Sequence, residues 1–142
     1  MSLVADTGGL YALYDADDAH HAAIREIIQK EPGPIIVPSA VLGELDYLLR
    51  EFLGVDAELD FLDGLISGAL SLEPMTPADV VRSRELVATY RDLDLGLVDS
   101  SVIATAERLG IRRVLTVDEH DFRAVRPKGK PLTLLPSDSG TS

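Results

Sequence analysis

The chain has 142 residues, 46% hydrophobic and 26% charged, with a formal net charge of −11. That length and balance suit one globular domain with a real core and exclude a disordered chain. The lack of cysteine excludes disulfides, thiolate metal sites and cysteine nucleophiles, and no apolar run approaches the roughly eighteen residues of a membrane span.

The first residues carry neither the basic region nor the apolar core of a signal peptide, so a cytoplasmic location is expected. Leu3-Val4-Ala5 reads as a short buried strand ending at Asp6. Thr7-Gly8-Gly9 leads tightly into a helix with Leu10, Leu13 and Tyr14 inward. After the polar break Asp15–Asp18, a second helix spans His20 to Lys30 with Ala23, Ile24, Ile27 and Ile28 as its stripe, and Pro32-Gly33-Pro34 stops it. Ile35-Ile36-Val37 is a strand closed by Pro38, and Ser39 is expected to cap a helix that runs to about Gly54. Another helix covers Asp56–Gly68, and Leu70-Ser71-Leu72 suggests a short strand. Thr76 or Asp79 caps a helix carrying Val80, Val81, Leu86, Val87 and Tyr90.

The stretch from Asp94 to Asp118 organises the rest. Asp99 is read as opening a helix whose apolar face is Val102, Ile103, Ala106 and Leu109, and Gly110 ends it. A strand rises through Val114, Leu115 and Val117 and stops at Asp118, and Asp118–Phe122 adds a helical turn. Leu132–Leu135 makes a last strand. Apolar strands alternating with helices imply a parallel sheet covered on both faces. The expected fold is a three-layer α/β/α sandwich with four or five strands, one domain over 1–136 and a disordered tail over 137–142.

Ligands of open parallel sheets bind beyond the carboxyl ends of the strands. Asp6 and Asp118 end strands and Asp99 begins a helix, so all three are expected on that rim. Glu44 falls at the edge of the stripe formed by Val41, Leu45, Leu48, Leu49 and Phe52, and can lean toward the same place. Four carboxylates gathered there repel one another unless a divalent cation sits among them. An all-oxygen set selects Mg2+ or Mn2+ over zinc and suits phosphodiester hydrolysis by an activated water.

These motifs together resemble those of the PIN-domain nucleases, and within them the VapC-type toxins. The quoted residues are Asp6-Thr7, the run V-P-S-A-V-L-G-E-L with Glu44, the run L-G-L-V-D-S-S-V-I-A-T-A with Asp99, and T-V-D-E-H-D-F with Thr116, Asp118 and Phe122. The resemblance implies an endoribonuclease dependent on Mg2+ or Mn2+, acting on structured RNA such as transfer RNA or ribosomal RNA. It also implies a homodimer neutralised by a cognate VapB-type antitoxin. Asp6, Asp99 and Asp118 would be metal ligands, Glu44 would bind directly or through water, and Thr116 would orient a carboxylate or water. Asp94 and Asp121 would be supporting acids outside that set, and both also fit as surface charge on a helix or loop.

Net charge of −11 argues against nucleic acid, but residues 108–130 hold seven Lys and Arg against three acids. Arg112, Arg113, Arg123, Arg126 and Lys128 are therefore expected to form a local RNA track. His20 and His21 are read as far from the motifs, and Tyr11, Tyr14 and Tyr47 as core more than stacking platforms. Phe52, Leu53, Phe61, Leu62 and Leu65 suggest a groove for an antitoxin helix. Three other readings fit less well. A Mg2+-binding receiver domain lacks its middle-strand acceptor and its lysine, a haloacid-dehalogenase-type phosphatase lacks the second acid of D-x-D, and a silent PIN-like binding module would not need intact acids.

Overall fold

The inner strands of this chain are short and apolar, so they must be buried on both faces, and the fold follows from that need. The computed structural model describes residues 2–139. Strands β1 (Leu3–Ala5), β2 (Ile35–Pro38), β3 (Ser71–Glu73), β4 (Arg113–Leu115) and β5 (Thr133–Leu135) form one sheet in the order β3-β2-β1-β4-β5. All four pairings are parallel, with Val4 opposite both Ile36 and Val114. The helices are α1 (Thr7–Tyr14), α2 (His21–Lys30), α3 (Val41–Phe52), α4 (Val55–Ser67), α5 (Pro77–Thr89), α6 (Leu97–Leu109) and α7 (Glu119–Ala124). Helices α1 to α4 pack together, as do α5 and α6. Right-handed crossovers put these two groups on opposite faces, because the chain steps from β1 toward β3 and then returns to β4 and β5. The three layers and the parallel sheet match the expectation from the sequence.

The core is continuous through the sheet. Leu3, Val4, Ala5, Val37, Val114 and Leu115 are fully buried between Leu10, Val41, Leu45, Leu49 and Phe61 and the residues Val102, Ile103 and Ala106. Helix α6 is buried over most of its length because it crosses the middle strands. Bidentate Arg82–Glu107 bonds and the Arg108–Asp79 pair tie it to α5.

Several local expectations change. Ser39 does not cap α3. Ala40 is the residue before it, and the Ser39 hydroxyl accepts from the Met75 N–H at 2.8 Å, stapling the ends of β2 and β3. Thr76 is the true cap of α5, in a reciprocal capping box with Asp79. β3 begins one residue later than expected, at Ser71. It is an edge strand, so Leu72 is exposed while Leu70 before it is buried. β4 stops at Leu115, short of the expected Val117, although the Thr116 N–H still donates to Leu135 O at 2.9 Å. At the C-terminus, Ser137–Ser139 continue a turn in which Asp138 accepts from Leu134 N–H and Arg123. Residues 140–142 of the expected tail lie outside the described residues.

Candidate active site

β1 lies between β2 and β4, and the chain's direction of travel across the sheet reverses there. This is the position at which an open parallel sheet leaves a crevice at its carboxyl edge. Asp6 follows β1 directly and its N–H donates to Leu115 O at 2.9 Å. Its side chain does not cap α1. It accepts instead from the Thr116 hydroxyl at 3.0 Å. That hydroxyl in turn accepts from the Asp118 N–H at 3.0 Å. Thr116, fully buried, thus joins the end of β1 to the loop after β4.

Two glycines make this approach close. A Cβ on Gly9 would stand 2.5 Å from Leu115 O, and one on Gly8 would stand 2.8 Å from a Val117 methyl. Helix α1 can begin against β4 only because both side chains are missing.

Asp99 enters from the other face. It lies in the first turn of α6, three residues after the cap Gly96, not at the cap as the sequence suggested. Its carboxylate takes a bond from the Gly96 backbone. Asp121 stands in the first turn of α7, buried, and one oxygen each from Asp99, Asp118 and Asp121 lie within 4.8 Å of one another. Asp121 sits 3.1 Å from His120 Nδ1.

The charges register in the acidities. Burial pushes the Asp6 carboxyl up to about 6, against the lowering bonds from Thr7 and Thr116, with Glu44 and Asp118 adding to the rise. Burial also raises Asp99, to about 7, and the negative charges of Asp6, Asp118 and Asp121 contribute. Asp118 is raised by partial desolvation and by Asp121, with Asp94 a smaller cause. One cluster therefore holds Asp6, Asp99, Asp118 and Asp121. Glu44 and Asp94 are exposed at its margin and reach it through their charge. Asp121 is more central than the sequence suggested. Its spacing of three from Asp118 was the available signal, since one helical turn returns it to the same side.

The basic residues are arranged differently. Arg112 and Arg113 lie where β4 begins, at the amino edge of the sheet, and Lys128 lines one concavity with Arg112 there, whereas the Arg126 N–H donates to the Tyr90 hydroxyl at the end of α5. Arg113 is held by Glu31 and Ser2 O. Arg123 alone is on the acidic side, where Glu119 and Asp138 bind it at 2.8 and 2.6 Å. The structure does not bring these five into a track beside the acids.

His20 moves the other way. The connection from α1 to α2 carries it to a cleft shared with Thr116, which no local pattern in the sequence could reveal. His21 is structural, 2.8 Å from Ala12 O by its Nδ1. Tyr14 packs edge-on to Phe61 with centroids 6.1 Å apart. Phe61 is fully buried and Leu53 partly so, which removes them from the expected groove. The apolar side chains left exposed on α3 and α4 are Tyr47, Phe52, Val55, Leu59, Leu62 and Ile66.

Comparison with known proteins gives a consistent picture. The family model described as PIN domain matches residues 3–127. Ribonuclease VapC26 of Mycobacterium tuberculosis (strain ATCC 25618 / H37Rv) is 36% identical over 127 residues, which is 89% of this chain and 94% of that protein. The solved structure of M. tuberculosis VapC20, a sarcin-ricin loop cleaving toxin, superposes with a TM-score of 0.78 at 24% identity, covering 88% of this chain and 99% of that one. DNA-bound VapBC from Salmonella typhimurium gives 0.71 at 20% identity, covering 94% and 98%. Both likenesses are of fold.

Proposed function

This chain belongs to the PIN-domain family, among the VapC ribonuclease toxins, and from that premise we propose that it is a Mg2+- or Mn2+-dependent endoribonuclease that cuts structured RNA, transfer or ribosomal, and is neutralised by a cognate antitoxin. The observation that carries the reading is the convergence of Asp6, Asp99, Asp118 and Asp121 at the carboxyl edge of the sheet. Carboxylates so close, with Asp99 raised to about 7, form a site that is unfavourable alone and favourable around a cation.

The donor set fits a hard divalent ion. It is all carboxylate, the chain has no cysteine, and the buried Thr7 hydroxyl beside Asp6 has no partner among the described residues. Asp6, Asp99, Asp118 and Asp121 would hold the ion, and exposed Glu44 would reach it through water. When bound, such an ion neutralises phosphoryl oxygens and lowers the pKa of a coordinated water. Thr116 holds Asp6 in one orientation and fixes the backbone at Asp118, so two carboxylates from separate strands keep a constant spacing. The Gly96 N–H does the same for Asp99.

Two exposed apolar faces suit two protein partners. The face on α3 and α4, with Tyr47, Phe52, Leu59, Leu62 and Ile66, would take an amphipathic antitoxin segment. Val80, Val81, Val87 and Leu97 on α5 and α6 would take a second copy. The VapBC complexes among the structural relatives support an antitoxin as one of the two partners.

The test is cleavage of purified transfer and ribosomal RNA with Mn2+. Discrete cuts are expected from the wild type, and none with EDTA or from folded Asp6→Asn or Asp99→Asn. Full cleavage in EDTA would contradict the reading.

A further inference from the structure

Beside the carboxylates, above the ends of β4 and β5, lies a second concave feature. This cleft of about 200 Å³ is lined by His20, Thr116, Val117, Glu119, Pro136 and Ser137. Thr116 belongs to both places, since the hydroxyl that bonds Asp6 hangs from a residue that lines the cleft. The cleft therefore begins one side chain away from the reacting centre.

Its chemistry suits one flat, partly polar ring. Val117 and Pro136 give it apolar surface. Glu119 and Ser137 are fixed, both bound by Arg123 Nη2, at 2.8 and 3.2 Å. His20 is oriented as well, with Nδ1 3.3 Å from Asp18 Oδ1. A carboxylate only accepts, so this contact favours the ring form that carries a proton on Nδ1, which leaves Nε2 for a ligand. Pockets for whole small molecules run from roughly 300 to 1,000 Å³, so this one suits a single part of a longer ligand. RNA is read largely through unstacked bases, which stack on flat side chains, histidine included, and are bonded at their edges.

We propose that this cleft receives the nucleobase next to the scissile phosphate and that His20 contacts that base and sets the preference for it. The inference rests on the ribonuclease reading above. Asp18 is a positioning residue, acting through the imidazole.

The experiment begins by mapping the wild-type cut in total transfer and ribosomal RNA. A labelled 2′-O-methyl oligonucleotide across that cut is then made with its bases intact, and again with the nucleotide on either side of the cut made abasic in turn. Binding to wild type, His20→Ala and His20→Gln is followed by fluorescence anisotropy. For one of the two flanking positions, removing the base should weaken wild-type binding roughly tenfold. The same removal should cost His20→Ala almost nothing, because the interaction is already gone. His20→Gln should recover part of the loss by restoring an edge contact. Cleavage by His20→Ala should slow at limiting RNA along with the lost binding, with base preference relaxed at that position. Equal losses in wild type and His20→Ala at both positions, with RNA still cut, would overturn the subsite and leave the ribonuclease standing. A wild type that neither binds nor cuts RNA would overturn both.

Discussion

Thr116 shows how a single hydroxyl can define a site. The hydroxyl donates to Asp6 and accepts from the Asp118 N–H, so both of its bonds lie among the carboxylates, while the backbone N–H of the same residue bonds Leu135 O of β5. The repulsion it helps to hold in place has a consequence for stability. A carboxyl raised in the folded state binds its proton more tightly folded than unfolded. Its stabilisation is then complete below about pH 4 and is lost as pH rises through the folded value. For Asp6 and Asp99 those values are about 6 and about 7. Without metal, the melting temperature should fall as pH rises from about 4 to 7 and level off above. Asp99→Asn, which carries no charge to repel, should be more stable than wild type at pH 7.5, by about 1–2 kcal/mol once solvent screening of a half-exposed group is allowed for. Near pH 4 the two should melt together. Differential scanning calorimetry across this range checks it, and a wild type that gains stability from pH 4 to 7 would contradict it. Asp6 and Asp118 were legible in the sequence because each stands between a strand and a helix, and Asp99 because it falls in the first turn of a strongly patterned helix. His20 was not, since its position depends on how a six-residue connection folds back over β4.

At the scale of elements, the site depends on how closely α1 meets β4. Gly9→Ala puts a methyl 2.5 Å from a backbone oxygen that cannot move without disturbing the sheet. Overpacking of this kind costs about 1–3 kcal/mol. The variant should melt several degrees lower and lose more RNA cleavage than its stability loss explains, because Asp6 moves away from Thr116. The same change at Gly43, where an added Cβ meets nothing within 4 Å, is the control. Helix α4 offers the second prediction at this scale. Val55, Leu59, Leu62 and Ile66 recur at helical spacing on its outer side, and Ile66 is 83% exposed. Leu59→Asp or Ile66→Asp should keep the fold and RNA cleavage yet abolish co-purification with the cognate antitoxin. Retention of the antitoxin by both variants would move its site elsewhere. The sequence located this helix but not its outward face, since Phe61 and Leu62 are adjacent and only packing decides which is buried. Ser39 was misread for a similar reason. A serine before a helix fits a cap, and only the sheet shows that the Met75 N–H claims it first.

For the whole molecule, architecture and rim were legible because short apolar strands alternating with helices leave few topologies, and the strand ends of a parallel sheet are where ligands go. Charge placement was not legible. The basic window of the sequence is scattered by the fold: Arg112 and Arg113 stand at the amino edge of the sheet, Arg123 stands on the acidic side, and Arg108, Arg113 and Arg123 are already paired to Glu73 and Asp79, Glu31, and Glu119 and Asp138. Adjacency along the chain does not survive when a strand carries the chain from one edge to the other. The acids at the carboxyl edge are expected to form one cation site. Thermal unfolding of wild type and Asp99→Asn at pH 7.5, with and without Mn2+, tests it most directly. At a hundredfold excess over the dissociation constant, a cation that binds only the folded chain adds about 2.7 kcal/mol. In a domain of this size that corresponds to roughly 5–10 °C. That rise is expected in wild type, and its loss in Asp99→Asn. Equal shifts in both proteins, or none in wild type, would contradict a cation site built on these carboxylates.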